Sequence, residues 1–171
     1  NNLRRFVTET REKGAYPVLF NSIVRRNFPP EGAMENKGSY EKEGNILVDT
    51  HGEYLISPRK VAEEMGVPFV DLNKLTHDLV VGMEVEKSKE LFMWVPAGKY
   101  DFCPKGKVDN THLNIYGGKV VAGIAIEAVA KVVPELVPYI RYRDPEVYVA
   151  DYKDNKECAV SYTCLLYTSP S

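Results

Sequence analysis

Within KVDNTHLNIYGG, Lys107 to Gly118, an aspartate stands three residues ahead of a histidine, and an apolar run at helical spacing follows. Histidine is the side chain whose ordinary titration lies nearest neutrality, so His112 is a candidate general base for a hydroxyl nucleophile. Such a base needs its ring held in one tautomer. A carboxylate accepting from Nδ1–H does this, leaves Nε2 able to take a proton, and stabilises the imidazolium that results. Asp109, in a turn three residues earlier, can supply that carboxylate locally. The same residues have a plainer reading. Asn110, Thr111 and Asn114 are turn- and cap-forming types, and Asp109 and His112 could be solvated neighbours at a helix entry. Spacing alone leaves both readings open, because short motifs recur by chance.

Other residues able to do chemistry are scattered. Arg25 and Arg26 follow an apolar run, at the end of a strand where α/β sheets bind ligands. A guanidinium there could grip a carboxylate through two parallel hydrogen bonds, or the two could be a solvated basic pair. His51 lies in the loop DTHGEY. His77, in LTHDL, reads as a helical surface residue whose neighbour Asp78 points elsewhere. Trp94, Tyr100 and Phe102 lie in an aromatic-rich loop, where amphipathic rings commonly seal a core edge. Cys103, Cys158 and Cys164 are odd in number and lack metal-ligand spacing, and no His/Cys/Asp cluster supplies it, so no metal site is expected.

The elements that must position these residues alternate. Leu3, Phe6 and Val7 share one face of an N-terminal helix that Gly14 could end. Val18 to Val24 is apolar and partly β-branched, which predicts a strand buried on both faces. Asn27 to Asn45 is rich in Gly, Pro and charge and reads as a long loop. In SPRKVAEEMG, Ser57 suits an N-cap, Pro58 the first helical position and Gly66 the stop, with Val61, Ala62 and Met65 inward. Val67 to Asn73 predicts a second strand. Leu72, Leu75, Leu79 and Val80 predict a helix ending near Gly82. EVEKSKELFM reads as a further helical piece, and WVPAGKYDFCPKGK as a loop that carries on to the Asp109–His112 pair. Leu113, Gly117, Val120, Val121, Ile124, Ala128 and Val132 predict a last helix, capped by Asn114 and ended by Pro134. The pattern is α/β with a parallel sheet. Two strands are too few for a complete doubly wound domain, so the N-terminal strands are expected upstream.

Composition narrows the function classes. The 171 residues are 44% hydrophobic and 27% charged, as in a soluble globular domain. There are 22 basic and 24 acidic residues with no block of either sign, which points away from nucleic acid and from a membrane surface. No apolar run is long enough to span a bilayer.

The string DNTHLNIYGG before an apolar helix resembles the last conserved block of the SGNH (GDSL-type) hydrolases, and within them the rhamnogalacturonan acetylesterases. PVLFNSIVRRNF resembles that family's fourth strand and following loop, and VDTHGEYLISPRKVAEEMGVPFVDLN its next loop, helix and fifth strand. The resemblance covers roughly residues 1 to 140. It implies a partial flavodoxin-like three-layer fold with a parallel sheet, and a serine esterase acting on acetylated pectic polysaccharide without a cofactor. His112 would be the general base and Asp109 its orienting partner. The family's G-D-S serine and its oxyanion-hole Gly and Asn lie in blocks this sequence does not contain. Ser22 and Ser39 are not in such motifs, so the chain alone is expected to be inactive. Arg25 and Arg26 would then meet pectic carboxylates, His51 the substrate, and Trp94 and Tyr100 a sugar face. The resemblance also implies a secreted or periplasmic enzyme, any signal peptide lying upstream of a sequence that does not start with methionine.

Two expectations concern the C-terminal end. Residues 141–163 read as a linker or the start of a following domain, VYVADYKDNKECAVSYT resembling the opening strand of a polysaccharide deacetylase domain. Residues 164–171, CLLYTSPS, resemble a translated sequencing adapter. Two other functions remain consistent with the residues: an SGNH carboxylesterase for another acyl ester, and a non-catalytic carbohydrate-binding relative. A G-D-S serine upstream would separate esterase from binder.

Overall fold

The first helix, α1 (Asn2–Glu12), places Val7 at full burial against α2 (Ile56–Met65), while the preceding residue Phe6 stays 57% exposed. The apolar face of α1 is therefore narrower than its sequence spacing implies. In this computed structural model the described residues are 1–28, 47–48 and 50–140. Most of the long loop Asn27 to Asn45, with Ser39, lies outside them. So do the expected linker over 141–163 and the expected non-native tail over 164–171.

A 3-10 turn, Gly52–Leu55, runs directly into α2. Ser57 and Pro58 consequently sit inside the first turn, and Ser57 is not the N-cap; the preceding turn has already set the chain on its helical course. Gly66 does end α2, in the left-handed conformation at φ 60° that glycine adopts without penalty.

Two short strands, β1 (Leu19–Phe20) and β2 (Phe69–Val70), pair in parallel with Leu19 opposite Phe69. Both are shorter than their apolar runs, because side chains take over from the ladder. The Asn21 amide donates to Asp71 Oδ1 at 2.7 Å and accepts from Asn73 N at 2.8 Å, and Val24 N donates to Thr76 Oγ1 at 2.9 Å. Asp71 caps α3 (Leu72–Gly82) by accepting from Lys74 N. Phe20 is 37% exposed, so β1 is not covered on both faces by described residues. On α3, His77 is buried rather than on the surface, and its Nδ1 lies 3.6 Å from Asp78 Oδ1, so Asp78 does face it.

After α3 the sequence reading errs most. Only Glu84–Lys87 is α-helical (α4); a 3-10 turn Ser88–Leu91 follows, then the strand β3 (Phe92–Val95). β3 pairs antiparallel with β4 (Lys107–Leu113), so Asp109 and His112 stand on a strand and not in a loop. FMWV is aromatic and β-branched, a composition that fits a half-buried strand better than a helix end. The last helix, α5 (Ile115–Val132), starts at Asn114 as expected, with Asn114 Oδ1 accepting from Gly117 N at 2.8 Å. Pro134 opens a 3-10 turn after it. No helix among the described residues is long and apolar enough to cross a membrane.

Two apolar clusters hold these pieces. Val7, Ala62 and Val67 join α1 to α2 and the strand that follows. Val24, Leu47, Val80, Val81, Leu91 and Phe92 form the larger one, under the β3–β4 ribbon and the start of α5. The two glycines at the N-terminus of α5 differ sharply there. A Cβ on Gly117 would run into the Leu91 backbone, whereas one on Gly118 would meet nothing within 4 Å. Gly117→Ala should therefore lower the melting temperature strongly or prevent folding. Gly118→Ala should be neutral or stabilise by roughly 0.5–1 kcal/mol, since glycine weakens a helix by that much. Thermal melts of both variants beside the parent check this; equal melting points would contradict the packing.

Candidate active site

The β3–β4 ladder is interrupted where the Asp–His pair stands. Met93 pairs with Asp109 and Phe92 with Leu113, so one step along β3 spans four along β4. Asn110, Thr111 and His112 are the extra residues and bulge out of the ladder. Bulges re-aim side chains and leave backbone donors to be satisfied elsewhere. Asp109 satisfies two of them: its Oδ1 accepts from Thr111 N at 2.8 Å and His112 N at 2.9 Å.

The other carboxylate oxygen, Oδ2, lies 2.8 Å from His112 Nδ1 and 3.0 Å from Lys107 Nζ. The backbone bonds from His112 and Thr111, followed by the Lys107 ammonium, hold the Asp109 carboxyl well below the usual carboxylate range. Asp109 is thus ionised and can only accept. In the neutral ring Nδ1 must then carry the proton, which leaves Nε2 as a base. The His112 side chain is 73% exposed, so Nε2 is open to an incoming group. Among the described residues no serine hydroxyl is hydrogen-bonded to this ring.

The flanks of the bulge are tied down. Asn114 donates through Nδ2 to the carbonyls of Glu90 and Phe92, at 2.7 and 2.9 Å, while its backbone N donates to Leu91 O. On the other flank, Asn110 Oδ1 accepts from Arg26 Nη1 at 3.0 Å and Trp94 Nε1 at 2.9 Å, and Asn110 O accepts from Arg26 N at 2.8 Å.

The remaining candidates separate. Arg26 is buried at 4% exposure, its guanidinium bonded to Ser88 Oγ, Asn110 Oδ1 and Val85 O and lying against the Phe28 and Trp94 rings. Arg25 beside it is only half-buried and donates to Thr50 Oγ1 at 3.2 Å, which ties the strand end to the segment carrying His51. Trp94 has the Arg26 and Lys89 cations against its ring. Tyr100 stacks on Phe102 in the turn joining β3 to β4, at the end of the ribbon away from His112. Ser22 is exposed on the chain after β1. Among the described residues no group of three or more His, Cys, Asp or Glu could hold a metal ion.

Sequence reasoning missed Lys107 and the anchoring role of Asn110. Lys107 lies two residues before Asp109, which on a strand is the same side, so the strand assignment would have exposed it. Asn110 carries no such signal, because its partners are 84 and 16 residues away in sequence.

No protein-family model matches the chain. Over 147 residues, 86% of the chain, it is 31% identical to the rhamnogalacturonan acetylesterase RhgT of Bacillus subtilis (strain 168), and it spans 58% of that protein's length. Among solved structures it shares its fold with the Bacillus subtilis protein YxiM, at a TM-score of 0.51 and 21% identity, covering 75% of this chain and 29% of that one. The first likeness lies in sequence, over part of that relative's length, and the second in fold alone.

Proposed function

We propose that the chain supplies the general base and its orienting carboxylate to a carbohydrate esterase that removes O-acetyl groups from pectic polysaccharide of the rhamnogalacturonan type. The observation that carries this reading is the 2.8 Å contact between Asp109 Oδ2 and His112 Nδ1, with Nε2 exposed on the other side of the ring. Similarity to a protein described as a rhamnogalacturonan acetylesterase supports the substrate class.

The chemistry follows from that geometry. Nε2 takes the proton of a serine hydroxyl as its oxygen attacks the acetyl carbonyl. The proton then passes from Nε2 to the departing sugar oxygen, leaving an acetyl-serine. Water attacks next, giving its proton to Nε2, and the serine oxygen recovers one as acetate leaves. Asp109 stabilises the imidazolium at each stage without itself becoming protonated. The serine belongs to a part of the enzyme other than the described residues. A polysaccharide substrate is met outside the cytoplasm, so the enzyme is secreted or periplasmic.

Arg25 and His51 are the proposed substrate contacts. Arg25 is half-exposed beside Thr50, and the neighbouring residue Arg26 is bonded to the bulge, so the three segments are contiguous. A galacturonate carboxylate would find a guanidinium there. Trp94 is committed to the ribbon by its indole bond and its two cations, and Tyr100 stacks away from His112. These two serve the scaffold in our reading rather than a sugar face.

Hydrolysis of acetylated rhamnogalacturonan and of 4-nitrophenyl acetate by the protein that carries this chain tests the proposal. His112→Ala should cut turnover of both by roughly 10²–10⁴-fold, the usual worth of a positioned base. Asp109→Asn should also be severe, on the order of the 10⁴-fold loss known for the equivalent change in a serine protease, because an amide can reverse the tautomer. Near-parental turnover of the small ester by His112→Ala would reduce the pair to a polar helix entry.

Arg25→Ala should raise KM for the acidic polysaccharide about tenfold, the scale of one charge-assisted hydrogen bond, and leave the neutral ester unchanged. An equal effect on both esters would remove Arg25 from carboxylate recognition.

The depressed Asp109 pKa sets a sign for stability. Native Asp109 stays ionised below the ordinary aspartate value of about 3.9, so its contribution is complete above that pH and is lost as pH falls towards the native value. Urea denaturation of parent and Asp109→Asn across acid pH should show a gap that narrows as pH falls below about 4. A gap independent of pH would contradict the carboxylate geometry.

A further inference from the structure

Arg26 is a costly residue to keep where it is. A guanidinium cannot shed its charge in a protein, and burying one without a carboxylate is unfavourable; an apolar side chain of similar size commonly serves stability as well or better. Among the described residues its three side-chain hydrogen bonds all go to neutral oxygens, of Ser88, Asn110 and Val85. Two aromatic rings, Phe28 and Trp94, complete its surroundings. Burial pulls its pKa down, and Glu86 offsets this only in part.

What this arrangement achieves is local. The Arg26 backbone N–H and its Nη1 reach the two oxygens of a single residue, Asn110, at 2.8 and 3.0 Å. The Trp94 indole, itself against the guanidinium, adds a second donor to the same amide oxygen. Asn110 is the first of the three bulged residues and directly follows Asp109. Without a ladder partner, the bulge has no regular bonds to define its position. The Arg26 and Trp94 donors define it at one flank and Asn114 at the other.

We propose that Arg26 is a positioning residue: through Asn110 it fixes the bulge so that the Asp109 carboxylate meets His112 Nδ1, and it does not bind substrate. This rests on Asp109 and His112 being the reactive pair. Trp94 acts in the same assembly as the second donor. Ser88 and the Val85 carbonyl hold the far side of the guanidinium so that Nη1 is aimed at the bulge.

The test reads the pair itself, by ¹⁵N NMR of the His112 ring and ¹³C NMR of the Asp109 carboxyl in the full chain. The parent should show Nδ1 protonated in neutral imidazole and a carboxyl that stays ionised in acid. Arg26→Met, which keeps bulk without a charge, should shift His112 towards the Nε2–H tautomer that free imidazoles favour. The Asp109 titration should move up towards the ordinary aspartate position. Trp94→Phe should produce a smaller change in the same direction. Val7→Ala, which weakens the separate cluster joining α1 to α2, should leave both signals at their parental positions. If Arg26→Met does not fold, Asn110→Ala carries the test, because it removes the shared acceptor and keeps the Arg26 N–H to Asn110 O bond. Parental tautomer and titration in a folded Arg26→Met, or in Asn110→Ala where Arg26→Met fails to fold, would overturn the proposal. These are spectroscopic readouts, so they remain decisive whether or not acetylesterase activity is found.

Discussion

One carboxylate organises the candidate site. The two oxygens of Asp109 meet two backbone N–H groups, an ammonium and an imidazole. The first two of these contacts fold the bulge, and the last orients the ring within it. A bulge without that carboxylate would present unsatisfied donors, and a ring without it would choose its own tautomer. The fold of the bulge and the orientation of the ring therefore depend on a single side chain. The strong preference for the ionised form is the electrostatic expression of the same dependence, since most of the bonds that make the bulge also stabilise the charge.

The carboxylate can do this only if the strand carrying it is held still. Beneath the ribbon, Leu91 and Phe92 are almost completely buried, a burial that stabilises by roughly 1.5–3 kcal/mol for each such side chain. The start of α5 packs so closely on the Leu91 backbone that only glycine fits at 117. Asn114 joins these parts: it caps α5, and its amide and backbone N–H bind three successive carbonyls of the β3 approach. Strand, helix and bulge are consequently tied to one another by close packing and hydrogen bonds.

Polar side chains also shape the entrance to the site from the parallel strands. Once Asn21 and Thr76 take over from the β1 ladder, the chain beyond Phe20 is released from sheet geometry. It then runs to Arg25 and Arg26, which part ways: one towards Thr50 and the exterior, the other into the ribbon. The adjacent arginines of the sequence thus carry different duties.

Local chemistry was legible in the residues alone. An aspartate can reach a histidine three positions on, asparagine before an apolar helical run caps it, glycine ends a helix in the left-handed conformation, and helical periodicity marks α1, α3 and α5. Each of these needs information from only a few neighbouring positions. Where the reading failed, the deciding partner was distant. FMWV became a strand because Lys107–Leu113 pairs with it, the strand after Pro17 was cut short by Asn21 and Thr76, His77 turned inward because α3 packs on that side, and Arg26 left the surface for an oxygen on residue 110. Residue types and short spacing were enough to mark a candidate base and its carboxylate. Their place in a bulge pinned from both flanks came from long-range pairing, because hydrogen bonds between residues 84 positions apart leave no periodic trace in the chain.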